Sequence, residues 1–369
     1  MLLPDGALAP RGGRLVMKLG EPMEEACYLD AASLVAWDLP PGWSMTLDER
    51  MGVNDPQPTG RQRFYRRQML PSRAENERRE DVTARVTTVD GAAPEPGAHD
   101  PRFIGLRSDH ALTLMFDSPI DQGPGNPMLV AQGWVEYPYS QTMFAAWQAG
   151  KAYQAPTLEA WDGHRWVVVL EQCGYPAGMP RQMSVPIPRE KLPPGATRLR
   201  LRTNQEVYWD RIAVAWAEEC PDAHRVVMPL QEAKLIESGF ALRTNGPQRR
   251  PHYDYNRRVP LWDTRHQDGF YTAIGPAEAL VRNADDALAI FGPGEEVHLE
   301  FAAPTETPPA GWNRRYVLEL NGWCKDRDLY TKDGSTLAPL PSRGGATPDS
   351  LKQRDALHEQ FNTRYRSGG

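Results

Sequence analysis

The sequence predicts an all-β protein of two β-sandwich units, of jelly-roll or galactose-binding-like type, with long loops and a short C-terminal helix. The first observation behind this is the stretch 156–216, where four runs of β-branched and aromatic residues alternate with turn formers. The second is the content of 35 prolines and 31 glycines, because helices tolerate neither residue well. The third is a pattern of strand, proline-rich loop and strand that occurs twice. Strands joined by tight turns form antiparallel sheets.

The four runs of the stretch 156–216 each match a strand of a sheet with one apolar face. In the third run leucines alternate with arginines, which is the period of two of a half-buried strand. The fourth contains the pattern Tyr-x-Asp-x-Ile from Tyr208 to Ile212, typical of modules that bind sugars or cell surfaces. This likeness concerns the fold and not an activity. We expect these strands at residues 157–161, 165–170, 197–203 and 206–216.

Other strands are predicted on both sides of this stretch. A turn at Gly292-Pro293-Gly294 indicates a hairpin between the predicted strands 287–291 and 297–301. A C-terminal helix is expected over residues 349–365, because Ser350 and Gln353 can form a capping box and Leu357 and Phe361 share a face. The additional strands are predicted at residues 14–19, 26–38, 82–89, 287–291 and 297–301.

The repeated pattern relates two distant parts of the chain. Residues 110–140 and 296–330 each hold an alternating strand, a proline-rich loop, a second strand and a Gly-Trp pair, at Gly133 and at Gly322. A shorter echo relates the sequence YLDAASLVAW to the sequence YWDRIAVAW. We interpret these echoes as two related strand pairs, either in two sandwiches or in the two sheets of one.

Composition shifts divide the chain into consecutive segments. Residues 221–284 show few regular patterns and are expected to form a structured loop excursion. The predicted segments are an N-terminal β segment (1–53), an Arg/Pro-rich connection (54–101), a jelly-roll-like sandwich (102–220), a second β-rich unit (221–345), and a C-terminal helix and tail (346–369).

Charge and hydropathy exclude several classes of protein. The net charge of −6 argues against a nucleic-acid-binding protein, and acidic residues balance the arginines near Phe64 and Tyr65. No apolar run approaches the ~20 residues of a membrane span. Asp5 follows the first apolar residues too soon for a signal peptide. We expect an exported or cell-surface protein if the chain is part of a longer precursor, and a cytoplasmic one otherwise.

Three carboxylates follow a Gly-Trp pair and form the first candidate metal site. Asp326, Asp328 and Asp333 lie within eight residues, and carboxylates at such spacing on a loop can hold Ca²⁺. Lys325 and Arg327 would oppose the charge of that ion. The alternative is a loop held by salt bridges and charge-assisted hydrogen bonds.

A second candidate cluster combines imidazoles with carboxylates, which can ligate zinc or non-haem iron. Its spacing matches no compact metal motif, and loop hydrogen bonding is the competing interpretation. No nucleophile elbow, phosphate-binding loop or dinucleotide fingerprint is found. The enzyme alternative is therefore a metal-dependent hydrolase that uses residues 252–268 or 326–333. The candidate ligands of the second cluster are His252, Asp254, Asp263 and His266.

The sequence does not decide whether the four cysteines form disulfides. Cys27, Cys173, Cys220 and Cys324 show neither a CxxC nor a Cys/His metal spacing. They can form two disulfides in an exported protein or remain as buried thiols, and the spacing decides for neither.

Aromatic residues in and beside the predicted strands offer a surface for ligands. Sugar rings stack on exposed aromatic faces, whereas aromatic residues inside apolar strands, such as Trp166 and Trp209, belong to a core. The candidates for ligand binding are Trp134, Tyr137, Tyr139 and Trp323.

Several long stretches resemble one family. The sequences GYPAGMPRQMSV, TNQEVYWDRIAVA, DDALAIFGPGEEVHLEF and NGWCKDRDLYTKDGSTLAPLP resemble the C-terminal region of large bacterial proteins with FG-GAP propeller repeats. Those proteins often carry an ASPIC/UnbV segment, as in the cartilage-acidic-protein-like group. The FG-GAP calcium loops are absent here. The resemblance implies a β-rich accessory region of a surface or exported protein. We therefore expect a non-catalytic binding or scaffolding module for a polysaccharide or another surface protein.

Overall fold

Antiparallel strands dominate the computed structural model, which describes residues 1–52, 57–260, 265–345 and 347–368. Strands make up 45% of the structure and helices 11%, which confirms the all-β prediction. The strands are β1 (Arg14–Gly20), β2 (Glu25–Leu39), β3 (Ser44–Leu47), β4 (Gln62–Tyr65), β5 (Gln68–Met69), β6 (Arg73–Glu75), β7 (Leu106–Met115), β8 (Asn126–Val135), β9 (Thr157–Trp161), β10 (Trp166–Leu170), β11 (Arg181–Pro186), β12 (Arg198–Gln205), β13 (Val207–Ala217), β14 (His224–Met228), β15 (Leu230–Glu237), β16 (Phe240–Asn245), β17 (Pro251–Val259), β18 (Gly269–Tyr271), β19 (Gly275–Pro276), β20 (Ala289–Phe291), β21 (Glu295–Ala302), β22 (Asn313–Asp326) and β23 (Arg364–Arg366). The helices are α1 (Ser140–Gln148), α2 (Glu278–Val281) and α3 (Pro348–Phe361).

The chain forms two units, and each is discontinuous in sequence. The first unit comprises Met1–Pro40, Ala223–Arg243 and Tyr253–Gly369, and the second comprises Pro41–Asp222 and Thr244–His252. The boundaries of these units differ from those of the predicted segments, because strands from opposite ends of the chain pair with each other. The longest such pairing joins β2 to β22 over the whole length of β2.

The second unit contains two sheets that share one apolar core. Their strand orders are β10-β9-β12-β7-β6 and β11-β8-β13-β5. Leu199 of β12 lies opposite Leu114 of β7, and both are buried in the core. Ile212 of β13 and Val185 of β11 enter the same core from the other sheet. The alternation of leucine and arginine along β12 therefore separates the core from solvent, as the sequence predicts.

The first unit repeats this plan with its own core. One sheet has the order β1-β21-β15-β19, and the other has the order β14-β2-β20, with β22 also paired to β2. Leu15 and Val297 come from the first sheet, and Leu34 and Leu318 come from the second. All four are buried in one cluster. Leu357 of α3 packs against this cluster, as expected for the apolar face of the C-terminal helix.

Most of the predicted strands are present, but three local predictions are wrong. Residues 82–89 contain a 3-10 turn at Thr83–Val86 instead of a strand. The side chain of Asp81 accepts the Thr83 amide, and the Thr83 hydroxyl accepts the Ala74 amide, so side chains replace a strand ladder. Strands β20 and β21 do not form a hairpin, because β20 pairs with β2 whereas β21 pairs with β1 and β15. The excursion at 221–284 contains strands β14 to β19.

The C-terminal helix is shorter than predicted and has a different cap. Thr347 is its N-cap, and the Thr347 hydroxyl accepts the Ser350 amide in a capping box. The helix ends because the Asn362 side chain makes tertiary hydrogen bonds, accepting from the Thr272 hydroxyl (2.6 Å) and donating to the Leu288 carbonyl (3.1 Å). Strand β23 follows at once. None of the helices in the described ranges is long and apolar enough to cross a bilayer.

The Gly-Trp echo corresponds to a repeated strand contact. Gly133 of β8 and Gly322 of β22 each lie against the backbone of a Tyr-x-Asp strand. A Cβ on Gly133 would lie 2.1 Å from the Tyr208 carbonyl oxygen, and one on Gly322 would lie 2.6 Å from that of Tyr28. Trp134 lies directly opposite Tyr208 in the ladder, just as the tryptophan after Gly322 lies opposite Tyr28. Glycine is required at both positions because any side chain would separate the strands.

Candidate functional site

Helix α1 of the second unit follows β8 and is anchored by Ala146 and by Thr142, whose hydroxyl accepts the Ile104 amide at 3.3 Å. Tyr139, the residue before the helix, has an extended backbone conformation. Ala146 is the buried residue of the helix and packs in a small cluster with Phe103 and Leu106. Gly150 ends the helix in a left-handed conformation, with φ of +71°. The remaining helical side chains are partly or largely exposed.

The exposed side of α1 and the segment before it form a surface that we call the aromatic face: Tyr137, Tyr139, Met143, Phe144 and Trp147. Trp147 is 69% exposed and Met143 is 45% exposed. These two lie four residues apart on the helix, and Phe144 lies three before Trp147, so they share a side. The ring centroids of Phe144 and Trp147 are 5.6 Å apart. Tyr137 and Tyr139 meet edge to face, with centroids 5.9 Å apart.

The polar residues of α1 are all uncharged. Its sequence is SQTMFAAWQ, so that serine, threonine and glutamine accompany the aromatic rings. Gln141 and Gln148 are exposed. Amides and hydroxyls both donate and accept hydrogen bonds, as sugar hydroxyls do. This end of the second unit therefore offers ring faces together with neutral hydrogen-bonding groups.

Two of the predicted aromatic candidates lie elsewhere. Trp134 is buried and stacks on Tyr208 with centroids 5.4 Å apart, and its Nε1 donates to the Gln248 carbonyl at 2.9 Å. No ring face of Trp134 is open to a ligand, so it is removed from the candidates. Trp323 is half-buried and packs against the cluster that contains Tyr271. Sequence alone could not separate these residues from Tyr137 and Tyr139, because all follow or end predicted strands.

The three aspartates after Trp323 perform separate tasks. Asp326 ends β22 and lies opposite Glu25 in the ladder. Asp328 accepts the backbone amides of Tyr330 (2.8 Å) and Thr331 (2.6 Å), which closes a turn. In the part of the chain that the structure describes, Asp326, Asp328 and Asp333 do not assemble into one ligand group. The geometry therefore favours the hydrogen-bonded loop over the calcium site.

The candidate ligands His252 and Asp254 lie two residues apart on β17, whereas His266 lies in a segment without regular structure before β18. Asp254 accepts the Asn256 amide at 3.0 Å, as a turn residue does. His266 is buried, its ring lies edge-on to a tyrosine, and its Nε2 contacts a guanidinium of Arg366, which disfavours a metal there. Asp263 lies outside the described residues. The predicted hydrolase site gains no support from these positions.

A buried carboxylate shows how this protein normally accommodates acids. Glu206 is fully buried, and its Oε1 lies 2.7 Å from Arg107 and 3.2 Å from Arg249. The Tyr208 hydroxyl donates to the same oxygen at 2.6 Å. Burial alone would raise the pKa of Glu206, but the hydrogen bonds from Arg107 and Tyr208 outweigh burial and lower the pKa below its ordinary value. Asp38 and Glu295 in the first unit likewise face arginines.

Two cysteines that are 297 residues apart in sequence meet in the first unit. Cys27 of β2 lies directly opposite Cys324 of β22, and their sulfur atoms are 3.2 Å apart. The Cys27 thiol donates to a carboxylate oxygen of Glu21 at 2.9 Å. All four cysteines are free thiols: Cys173 and Cys220 are buried, as the second alternative expects, whereas Cys27 is half-buried and Cys324 is exposed.

The acids beside this pair have strongly shifted pKa values. Burial raises the pKa of Glu21 to about 7. Burial, followed by the charge of Glu21, raises the pKa of Glu25 to about 9. The hydrogen bond to Cys324, together with burial, raises the pKa of Cys27. We call Glu21, Glu25, Cys27 and Cys324 the thiol–carboxylate cluster. No sequence spacing links these four residues, because only the register of β2 against β22 brings them together.

Comparison with known proteins gives no name for either site. A scan of the chain against protein-family models finds no matching family. Searches of the curated proteins and of the solved structures find no match either. The resemblance to the C-terminal region of FG-GAP proteins therefore stays a prediction, and function is argued from geometry.

Proposed function

We propose that this protein is a non-catalytic binding module that holds a neutral polysaccharide against the aromatic face. The observation that carries the proposal is the exposure of Trp147, whose side chain is 69% accessible on a helix without charged residues. A large apolar ring in water is unfavourable, and Trp147 is part of an exposed apolar patch with Phe144 and Met143, which is the kind of surface that marks a binding site. Covering the ring with an apolar sugar face releases water from both surfaces.

The composition of the face supports a sugar as its ligand. A pyranose ring presents C–H groups on its faces and hydroxyls at its edge. Trp147 and Phe144 supply a pair of neighbouring rings for the C–H faces. Gln141 and Gln148 are exposed amides of the same helix and can bond to hydroxyls. The lack of charge in α1 favours a neutral polysaccharide over an acidic one.

The position of the aromatic face, on a segment that connects two strands of a sandwich, is consistent with a binding module. A rigid sandwich that presents its ligand surface on a connecting segment is a common arrangement, because loops tolerate variation that a core does not. The resemblance to FG-GAP proteins adds the expectation of a surface or exported location, where polysaccharides are encountered. A scaffolding role follows if the other unit holds a different partner.

The proposal is tested with the full chain on a glycan array, followed by calorimetry with soluble β-glucan, xylan and galactomannan. We expect one of these neutral glycans to bind, and Trp147→Ala to weaken binding about tenfold, equivalent to about 1.4 kcal/mol. Trp161→Ala is the matched control, since Trp161 belongs to β9 and pairs with Trp166. Circular dichroism checks that both variants keep the fold.

Three results would overturn the proposal. The first is an array on which every neutral glycan fails to bind. The second is a loss of affinity that is equal in Trp147→Ala and Trp161→Ala. The third is self-association or capture of a defined protein through the aromatic face in place of glycan binding, because the face would then be a protein interface.

A further inference from the structure

We propose that the thiol–carboxylate cluster of the first unit is a structural zinc site, with Glu21, Glu25, Cys27 and Cys324 as its four ligands. This site is separate from the aromatic face, which belongs to the second unit. The proposal rests on ligand type, strand register, distance and the lack of an ionic partner.

Strand geometry explains why these side chains point to one place. Cys27 and Cys324 are opposite each other in the ladder, so they project from the same face of the sheet. Glu25 lies two residues before Cys27 on β2, and side chains two apart also share a face. Glu21 arrives from the turn between β1 and β2, where its backbone amide donates to the Glu295 carbonyl at 3.0 Å.

The distances suit a small tetrahedral ion. One ligand atom of each of the four residues lies within 4.8 Å of the others. Zinc bonds of about 2.3 Å to sulfur and about 2.0–2.2 Å to oxygen separate tetrahedral ligands by roughly 3.3–3.8 Å. The two sulfur atoms at 3.2 Å would move apart only slightly to meet this spacing.

The ligand types select among metals. Two thiols with two carboxylates form a mixed set that suits zinc, because soft sulfur ligands disfavour calcium and magnesium. Four protein ligands leave no open coordination position, which is the pattern of a structural site and not of a catalytic one. A zinc ion here would join the β1–β2 turn to β2 and β22.

The cluster also differs from the other buried acids in having no basic partner. Among the described residues, neither Glu21 nor Glu25 forms an ion pair with lysine, arginine or histidine. Asp38, by contrast, receives two hydrogen bonds from Arg314, at 2.6 and 2.7 Å. Carboxylates and thiols gathered without a cation repel each other once they ionise. A divalent cation supplies the missing positive charge.

The test uses the full chain, reduced and stripped of metal, and then given one equivalent of zinc or of cobalt(II). We expect one zinc per chain by elemental analysis, an increase in melting temperature with zinc, and thiolate-to-cobalt charge-transfer absorption in the near ultraviolet. Cys324→Ser and Glu25→Gln should each weaken zinc binding at least about tenfold, the lower bound for loss of a supporting contact. Cys324 is exposed, so its substitution is compatible with folding.

Matched controls separate the site from general metal binding. Cys220→Ala removes a thiol outside the cluster, and Glu24→Gln removes a carboxylate next to it, whose partner is Arg265. Both control variants should bind zinc like the unmodified protein. Absence of stoichiometric zinc, or equal affinity in Cys324→Ser and the unmodified chain, would overturn the proposal. A Cys27–Cys324 disulfide that persists under reducing glutathione with zinc present would overturn it as well.

Discussion

Asp30 and Asp210 make the same contact in two different units. The Asp30 carboxylate accepts the backbone amides of Asp285 (3.0 Å) and Asp286 (2.7 Å). That of Asp210 accepts two consecutive amides at 3.2 and 3.0 Å in a loop of its own unit. Each aspartate interrupts the register of its strand, which creates a bulge. Because the same contact occurs in both units, we interpret the two sandwiches as structural repeats.

Removal of either aspartate should destabilise its unit by a similar amount. Asp30→Ala and Asp210→Ala each remove the acceptor of two backbone amides that are buried or partly buried, which costs about 1–3 kcal/mol. Denaturant unfolding that is monitored by circular dichroism measures the loss. Asp162→Ala is the control, since Asp162 also accepts two amides, both at 2.8 Å, but in an exposed turn where water replaces it. Equal losses in all three variants would contradict the structural role that we assign to the bulges.

Only part of this structural repeat could be predicted from the sequence. The Gly-Trp echo predicted related strand pairs, and the contacts of Gly133 and Gly322 explain why this pair of residues recurs. The division of the chain into discontinuous units was not predictable, because the pairing of β2 with β22 joins segments nearly 300 residues apart. The same long-range register brings Cys27 to Cys324, and no spacing rule connects them.

The candidate surface illustrates a second limit. Tyr137 and Tyr139 were predicted from their position after a strand. Trp147 is not among the candidates that the sequence predicts, because the helix that exposes it was not predicted. Trp134 was expected at the surface, yet it stacks on Tyr208 inside the unit. Alternation along a strand shows which side chains share a face, but it does not show which face another sheet covers.

The ion pairs of Glu206 predict how stability responds to acid. The pKa of Glu206 is lowered on folding, so the pairing with Arg107 and Arg249 stabilises the fold at all pH values above the ordinary value of 4.5. This stabilisation is lost as pH falls through the lowered folded pKa. The free energy of unfolding should therefore decline below about pH 4.5.

Glu206→Gln should be less stable at neutral pH by about 3 kcal/mol, because it leaves a guanidinium without its buried partner. It should also show a flatter decline in acid, which is measured by urea unfolding at several pH values. The matched control is Glu80→Gln, since Glu80 pairs with Arg78 at 3.6 Å on the surface. The control should change stability by less than about 1 kcal/mol. A decline in acid that is unchanged in Glu206→Gln would refute this assignment.

The measurement that addresses the central claim most directly is fluorine NMR of the full chain labelled with 5-fluorotryptophan. The chain has 11 tryptophans, and the resonance of Trp147 is identified by its loss in Trp147→Phe. Soluble β-glucan, xylan and galactomannan are then added in turn. We predict that one of them shifts or broadens the Trp147 resonance while the resonance of Trp161 stays in place. Spectra that remain unchanged with all three glycans, or a glycan that moves other tryptophans but not Trp147, would contradict the proposed binding surface.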